Sequence, residues 1–365
     1  MRRNFLAAGL GSALGFALGL RGASAQQAPA LRGVPPEERT RLEPLIEGAK
    51  REGRLTYWDT VIQPETHDEL EAAFKQHYGL PNGFRVGYTL SGTGALVTRI
   101  EQEIAANRVT IDVASIASPS WVFEKLAAGH IARYDSPQYR HYGRVFQAGL
   151  GQPGAFAFNG AYIFVPMWNA ETLDFSGKSW KDVIGAVPPG RISVGDVAVS
   201  ASYLATYIGQ KQALNEQFFR DVARMRPAFL LRSEQIAARL VSGQDLMAFS
   251  GMPTRAYQNN EQGAKLRFLL PEEGVVLMPQ CSFVLQSAPH PNAARLWIDF
   301  ILSEQGQTIL GQREALISGR SGFRSPLPDY APAIDDLKLL DVNWRGMSTA
   351  DLQRHREEWM GIFKP

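Results

Sequence analysis

The sequence has one cysteine, Cys281, among its 365 residues. A single thiol cannot form an internal disulfide, so noncovalent packing must hold the fold. After Leu20, no segment approaches the roughly 18 uninterrupted apolar residues of a membrane-spanning helix. Clusters of Lys and Arg with interleaved aromatic residues are also missing, which argues against a nucleic-acid surface. Nucleic acid is therefore not an expected partner.

Motifs that indicate catalysis or metal binding are scarce as well. The sequence contains no GxSxG nucleophile elbow. Its six histidines form no HExxH pair and no close metal-ligand spacing. We expect a protein that is not an enzyme and that carries no cofactor.

The first 25 residues are typical of an export signal. An apolar run from Phe5 to Leu20 is followed by the small residues Ala23-Ser24-Ala25, as before a cleavage site. Arg2-Arg3-Asn4-Phe5-Leu6 matches the core of a twin-arginine signal, although ordinary secretory signals also begin with Arg pairs. No cysteine stands at the cleavage site to accept a lipid. The sequence predicts a soluble, unlipidated periplasmic protein.

Charge and length set bounds on the chain after the signal. The formal net charge of the whole chain is +2, and the signal carries three arginines and no acid, which leaves −1 for the rest. About 340 residues remain, enough for two domains at roughly 100 to 200 residues each.

Helical and extended patterns alternate along the first part of the chain. The apolar spacing predicts a helix over 41–52, a strand over 54–58, a helix over 65–78, a strand over 84–89, a helix over 92–106 and a strand over 111–116. Strands that alternate with helices predict a parallel sheet covered on both faces. Ligands bind outside the carboxyl ends of the strands in such sheets.

Polar loops follow these strands and supply the first candidate ligand-binding residues. They are Trp58 and Thr60 after the first strand, Ser91 and Thr93 after the second, and Ser118 and Trp121 after the third. A Ser/Gly/Thr loop that opens a helix offers free amides and the positive end of the helix dipole, and both favour an anion. The same hydroxyls equally serve as helix N-caps, which is the structural interpretation.

Later segments repeat this arrangement. Ser200 and Ser202 open a helix after the strand that ends near Asp196, and Ser250, Met252 and Arg255 follow another strand. The Asp196 carboxylate suits an amine or a metal if it lies in a cleft. A capping or hydrogen-bonding role is the structural alternative, and we favour it.

Four segments of the sequence resemble a known family. They are PHPNAARLWIDFILSEQGQTIL at 289–310, NGAYIFVP at 159–166, GRISVGD at 190–196 with SAS at 200–202, and PEEG at 271–274. Their order and wording are similar to periplasmic solute-binding proteins of ABC importers, in the group that binds ferric iron, phosphonates or sugar phosphates. The resemblance covers residues 42–322.

The resemblance implies an α/β fold of type II with two lobes, mixed sheets flanked by helices, and a hinge of two crossing strands. It divides the chain into a signal at 1–25, a loose leader at 26–40, a first lobe at 41–160 and 285–365, and a second lobe at 161–284. The crossings would lie at Tyr162 to Pro166 and Phe283 to Ser287. The implied partners are a small solute and an inner-membrane permease, with the protein a monomer. A chemoreceptor partner would use the same fold.

The sequence departs from the iron-binding members of this group, since ferric-binding relatives commonly place adjacent tyrosines where this chain has Met252-Pro253. Neither residue supplies an anionic oxygen. We therefore expect an organic anion, such as a carboxylate, phosphonate or sugar phosphate, held by hydroxyls, amides and Arg255. Trp58, Trp121 and Met252 would form an apolar wall for it. Ferric iron in a non-standard site, using Tyr203, Tyr207 or Tyr257, is the alternative, and a periplasmic enzyme is a third possibility.

Overall fold

The computed structural model describes residues 28–364. The predicted signal at 1–25 lies outside the described residues. The strands are β1 Arg54–Asp59, β2 Arg85–Leu90, β3 Val113–Ile116, β4 Ala157–Tyr162, β5 Val165–Asn169, β6 Ile192–Gly195, β7 Ala228–Leu230, β8 Met247–Gly251, β9 Leu266–Phe268 and β10 Met278–Val284. The α-helices are α1 Pro36–Glu52, α2 Pro64–Tyr78, α3 Thr93–Ala105, α4 Pro119–Ala127, α5 Gly143–Gln147, α6 Ala201–Gln210, α7 Glu216–Arg224, α8 Ser233–Val241, α9 Pro253–Asn260, α10 Pro291–Ile301, α11 Glu304–Glu314 and α12 Thr349–Phe363.

Two five-stranded sheets organise the chain. The first has the order β2-β1-β3-β10-β4, and the second has the order β7-β6-β8-β5-β9. In the first sheet β1 runs parallel to β2 and β3, whereas β10 is antiparallel to both of its neighbours. In the second sheet β6 runs parallel to β7 and β8, and β5 is antiparallel to β8 and β9. The expected α/β fold with two mixed sheets is confirmed. We call each sheet with its packed helices a lobe.

Aromatic side chains fill the core of the first lobe. The α10 side chains Trp297 and Phe300 are fully buried. The Trp297 ring lies 5.1 Å from the rings of both Tyr57 in β1 and Phe74 in α2. Helix α10 thereby fixes α2 and β1, the two elements that enclose the Thr60 loop.

The lobe boundaries differ from the sequence-based division. Residues 28–40 are not a loose leader, because Ala28 and Leu31 are buried and the Leu31 carbonyl accepts a hydrogen bond from Arg39. Strand β10 belongs to the first sheet, so the second lobe ends before it. Helix α12 packs on α6 and α7 of the second lobe, and its Trp359 ring lies 5.3 Å from Phe229.

Three segments connect the lobes. Residues 163–164 join β4 to β5, residues 269–277 join β9 to β10, and residues 315–348 lead from α11 to α12. The second crossing therefore precedes the Phe283–Ser287 position that the sequence suggested. The third segment runs beside the second, since the Val275 amide donates to Lys338 and the Leu340 amide donates to Val275. Within residues 28–364, no helix has the length and apolarity that crossing a membrane requires.

Candidate functional site

A cavity of about 470 Å³ lies where the two lobes face each other. On the first lobe it is bounded by the loops that follow β1 and β2. On the second lobe it is bounded by the loops that follow β6, β7 and β8, and the crossing at 163–164 lies between them. Both sheets thus direct the carboxyl ends of parallel strands to one cleft, where such sheets bind ligands.

Six of the eleven predicted site residues line this cleft: Thr60, Ser91, Ser200, Ser202, Met252 and Arg255. The other five lie elsewhere. Trp58 lies within β1 with the Arg99 guanidinium 6.0 Å from its ring, and the Trp121 indole donates to Glu101 at 2.8 Å. Ser118 precedes α4 and Thr93 is the first residue of α3, both outside the lining, and Ser250 is buried within β8. Of the three residues predicted to form an apolar wall, Met252 lines this cavity, whereas Trp58 and Trp121 do not.

Other residues line the cleft that the sequence interpretation did not select. They are Val61, Gln63, Leu90, Gly92, Tyr162, Phe164, Tyr203, Leu231, Arg232, Ser233 and Glu234. The sequence interpretation includes Tyr203 only as an alternative iron ligand. The sequence pattern could have identified the segment at 231–234 as part of the site. Like the selected loops, this segment follows a strand, β7, and opens a helix, α8.

The Thr60 loop is held by a buried carboxylate. Asp59 ends β1 and is fully buried, and its Oδ1 accepts hydrogen bonds from the amides of Val61 at 2.6 Å and Ile62 at 2.8 Å. Gln280 of β10 donates to the same oxygen at 3.1 Å and to the Thr60 hydroxyl at 2.8 Å. Burial raises the pKa of Asp59 against the lowering effect of its hydrogen bonds. This network positions Thr60 and Val61 at the cleft wall.

Four helices begin at the cleft. Their N-cap residues, Gly92 of α3, Ser200 of α6, Arg232 of α8 and Met252 of α9, all line the cavity. Ser200 also acts as a cap, because its hydroxyl accepts from the Tyr203 amide at 3.3 Å. Within the described chain no side chain caps α3 or α9. First-turn amides and the positive ends of the helix dipoles therefore face one space, an arrangement that favours an anion.

Two arginines and one glutamate supply the charged side chains of the lining. Arg255 donates to Glu234 Oε1 at 2.5 Å, to Ser233 Oγ at 3.1 Å and to Gln258 Oε1 at 2.6 Å. Arg232 is exposed and forms no ion pair with any described residue. With Arg255 paired to Glu234, the lining carries a net charge of +1.

Three aromatic rings form the floor of the cleft. The Phe164 ring lies 5.6 Å from Tyr162 and 4.5 Å from Tyr203, centroid to centroid. The Tyr162 hydroxyl lies 3.2 Å from Ser202 Oγ. Burial raises the pKa of both tyrosines.

The remaining iron candidates lie away from the cleft lining. The Tyr207 hydroxyl donates to Glu358 at 3.1 Å, and the Tyr257 hydroxyl donates to the Gln312 carbonyl at 3.4 Å. Residues 28–364 contain no group of three or more His, Cys, Asp or Glu side chains arranged to hold a metal.

Asp196 has the structural role that we favoured. Its Oδ1 accepts from the Ala198 amide at 3.0 Å, and its Oδ2 accepts from Lys364 Nζ at 2.7 Å. Lys364 follows α12, so this pair ties the end of that helix to the loop after β6. Both oxygens are occupied by structural partners.

Comparisons with known proteins agree with this geometry. A family model described as bacterial extracellular solute-binding protein matches residues 65–313. No curated protein matches the chain.

Several solved structures share the fold. The periplasmic binding protein AfuA from Actinobacillus pleuropneumoniae, with fructose-6-phosphate bound, is 19% identical with a TM-score of 0.67, and the match covers 85% of this chain and 98% of that one. Iron-bound HitA from Pseudomonas aeruginosa is 18% identical with a TM-score of 0.63, at 85% and 98% coverage. The substrate-binding protein of an ABC transporter from Agrobacterium tumefaciens is 15% identical with a TM-score of 0.69, at 85% and 94% coverage. At these identities the likeness concerns the fold, and it confirms the expected two-lobed periplasmic-binding-protein architecture.

Proposed function

This chain belongs to the bacterial extracellular solute-binding protein family, and from that premise we propose that it captures a small organic anion in its interlobe cleft. It then delivers the anion to the permease of an ABC importer. The protein acts as an exported, unlipidated monomer in the periplasm and catalyses no reaction.

One observation carries the proposal. Four helix N-termini and two arginines border a single cavity whose volume of about 470 Å³ lies in the range of small-molecule sites, about 300 to 1,000 Å³. Carboxylates, phosphonates and sugar phosphates all satisfy this chemistry. The fructose-6-phosphate bound to AfuA is a precedent for an anionic solute in this fold. Ferric iron is less favoured, because the tyrosines of the described lining are the half-buried Tyr162 and the buried Tyr203, and its one carboxylate, Glu234, is paired with Arg255.

A thermal-shift screen of carboxylates, phosphonates, sugar phosphates and Fe(III) tests the proposal. Binding to the folded state alone raises stability by about 2.7 kcal/mol when the ligand is at 100 times its Kd. We expect at least one organic anion to raise Tm without being consumed. A cargo that is neutral or cationic, or a phenolate absorption band on addition of Fe(III), would contradict the proposal.

A matched pair of serine variants tests the position of the site. Ser91→Ala removes a hydroxyl from the cleft lining, whereas Ser118→Ala removes the equivalent hydroxyl before α4, outside the lining. We expect Ser91→Ala to weaken anion binding by at most about 1.5 to 3 kcal/mol, the contribution of a hydrogen bond to a charged group. Ser118→Ala should bind like the unmodified protein. Equal losses of anion affinity in the two variants would show that the anion does not bind beside Ser91.

A further inference from the structure

Resting on the proposed function, we infer that the solute is a monocarboxylate with an apolar or aromatic body, and not a polyhydroxylated phosphate ester. The inference concerns the same cleft. It rests on the apolar surfaces of the cleft, on its charge and on its hydrogen-bond acceptors.

Apolar and polar groups share the inside of the cleft, and the apolar ones lie at its floor and on both sides. The rings of Tyr162, Phe164 and Tyr203 form its floor, and Val61 and Met252 contribute to its two sides. A hydrated sugar would have to give up water against these surfaces without gaining hydrogen bonds, which costs free energy. An apolar body gains from the same contact.

The lips of the cleft are apolar as well. Leu90 on the first lobe is 39% exposed, and Leu231 on the second lobe is 58% exposed. Val199, which immediately precedes the lining residue Ser200, is 64% exposed. Large apolar side chains left in water at both lips of one cleft indicate a surface that something apolar covers. We assign this covering role to the apolar body of the solute, because the charged end of the solute holds the body between the two lips.

The charge of the cleft matches one negative charge. Arg232 has no ion-pair partner among the described residues, whereas Arg255 is neutralised by Glu234. Two buried carboxyl groups, Asp59 behind Val61 and Glu314 behind Gln63, oppose a second negative charge nearby. A guanidinium binds a carboxylate or a phosphate through two parallel hydrogen bonds, so Arg232 can anchor the anionic end, and the single net positive charge of the lining matches a monocarboxylate.

Few acceptors in the lining are free for sugar hydroxyls. Four of its five Ser and Thr hydroxyls already pair with protein groups: Thr60 with Gln280, Ser200 with the Tyr203 amide, Ser202 with Tyr162, and Ser233 with Arg255. Among the described residues that line the cleft, Glu234 is the one carboxylate, and it already accepts from Arg255 at 2.5 Å. The Gln63 amide offers one side-chain carbonyl besides. Sites that recognise hydroxyl groups depend on such acceptors, because an unpaired hydroxyl lowers affinity.

Calorimetry with defined probes tests the inference. We expect hexanoate and benzoate to bind at least about tenfold more tightly than acetate, inorganic phosphate or glucose 6-phosphate. Arg232→Gln should weaken hexanoate binding at least about tenfold. The double variant Leu90→Ser/Leu231→Ser should weaken hexanoate by about tenfold and leave acetate unchanged. Leu270→Ser is the control, because Leu270 is 42% exposed but lies outside this cleft.

The outcomes separate this inference from the proposed function. Tighter binding of glucose 6-phosphate or phosphate than of hexanoate and benzoate would overturn the monocarboxylate inference and leave the anion-binding function standing. An equal loss for all anions in the leucine variant would also overturn it, because the leucines would then act in closure and not on the solute body. If none of these anions binds and a neutral or cationic solute does, the proposed function itself fails. Since both leucines are exposed, circular dichroism and Tm should show a folded double variant.

Discussion

The Arg255 guanidinium donates to Glu234 Oε1 at 2.5 Å, and this pair joins the first turns of α9 and α8 at the cleft. One carboxylate thereby neutralises one of the two arginines of the lining. The charge available to a solute is consequently set by a contact between two helices that are separated in sequence.

Removing this carboxylate should change the charge preference of the cleft. Glu234→Gln raises the net charge of the lining by one, so affinity for a dianion such as glucose 6-phosphate should increase by about 1 kcal/mol or less at low salt. Isothermal titration calorimetry at two ionic strengths measures this. Glu216→Gln is the matched control, because Glu216 pairs with Arg220 on α7, away from the cleft lining. A lower affinity for the dianion in Glu234→Gln would contradict the prediction.

Gly195 makes room for the cleft floor. A Cβ at this position would clash with the Tyr203 ring, so Gly195→Ala must displace that ring. We expect a loss of about 1 to 3 kcal/mol in unfolding free energy from overpacking, together with weaker solute binding. Urea unfolding and calorimetry measure the two effects. Gly83→Ala is the control, since nothing lies within 4 Å of a Cβ there. Normal binding by Gly195→Ala would show that Tyr203 does not form the floor.

Glu103 stabilises the C-terminal end of α3, the helix whose first turn borders the cleft. Burial would raise the pKa of Glu103, but hydrogen bonds from Thr110 and Arg99 outweigh it and lower the pKa below its usual range. The carboxylate therefore adds stability above pH 4.5, and this stability is lost as the pH falls through the lower folded pKa. Glu103→Gln should lower the unfolding free energy by about 1 to 3 kcal/mol at pH 7.

The difference between Glu103→Gln and the unmodified protein should shrink as the pH falls below 4.5. Thermal unfolding between pH 3 and pH 7 measures it. The exposed Glu47→Gln is a suitable control. A stability difference between Glu103→Gln and the unmodified protein that stayed constant over this pH range would show that ionisation of Glu103 does not stabilise the fold.

Helix α12 should be required for the stability of the second lobe. Trp359 is 1% exposed and its ring lies 5.3 Å from Phe229 and 4.9 Å from Phe363. Trp359→Ala should cost about 3 to 5 kcal/mol in unfolding free energy, because it leaves a cavity. Trp121→Ala, at a half-buried tryptophan of the first lobe, should cost less. A smaller loss for Trp359→Ala than for Trp121→Ala would contradict the packing of α12.

Solute binding should close the cleft. We expect the connections at 163–164 and 269–277 to act as a hinge, with the third connection at 315–348 moving with the second, and a solute that contacts both lobes favours the closed form. Small-angle scattering should show a smaller radius of gyration once an anion from the screen saturates the protein. An unchanged radius at saturation would contradict closure.

Much of the fold could be predicted from local patterns in the sequence. The alternation of helices and strands predicted the α/β class, because period and turn chemistry are encoded by neighbouring residues. The family was indicated by the resemblance of four segments, including 289–310, to known solute-binding proteins. The same patterns identified the loops of Thr60, Ser91, Ser200 and Arg255. Trp58 and Trp121 were misplaced, because the direction of a side chain depends on sheet register and packing and not on its distance from a loop.

The sequence by itself therefore determined the class of protein and most of the loops that border its site. Tertiary structure decided which side chains meet there. The order β7-β6-β8 sets the first turns of α6, α8 and α9 side by side, and this order brings Tyr203, Arg232 and Glu234 into one lining. Strand order depends on contacts between residues far apart in the chain, so no local pattern reveals it. The charge and the apolar lips of the cleft depend on those contacts.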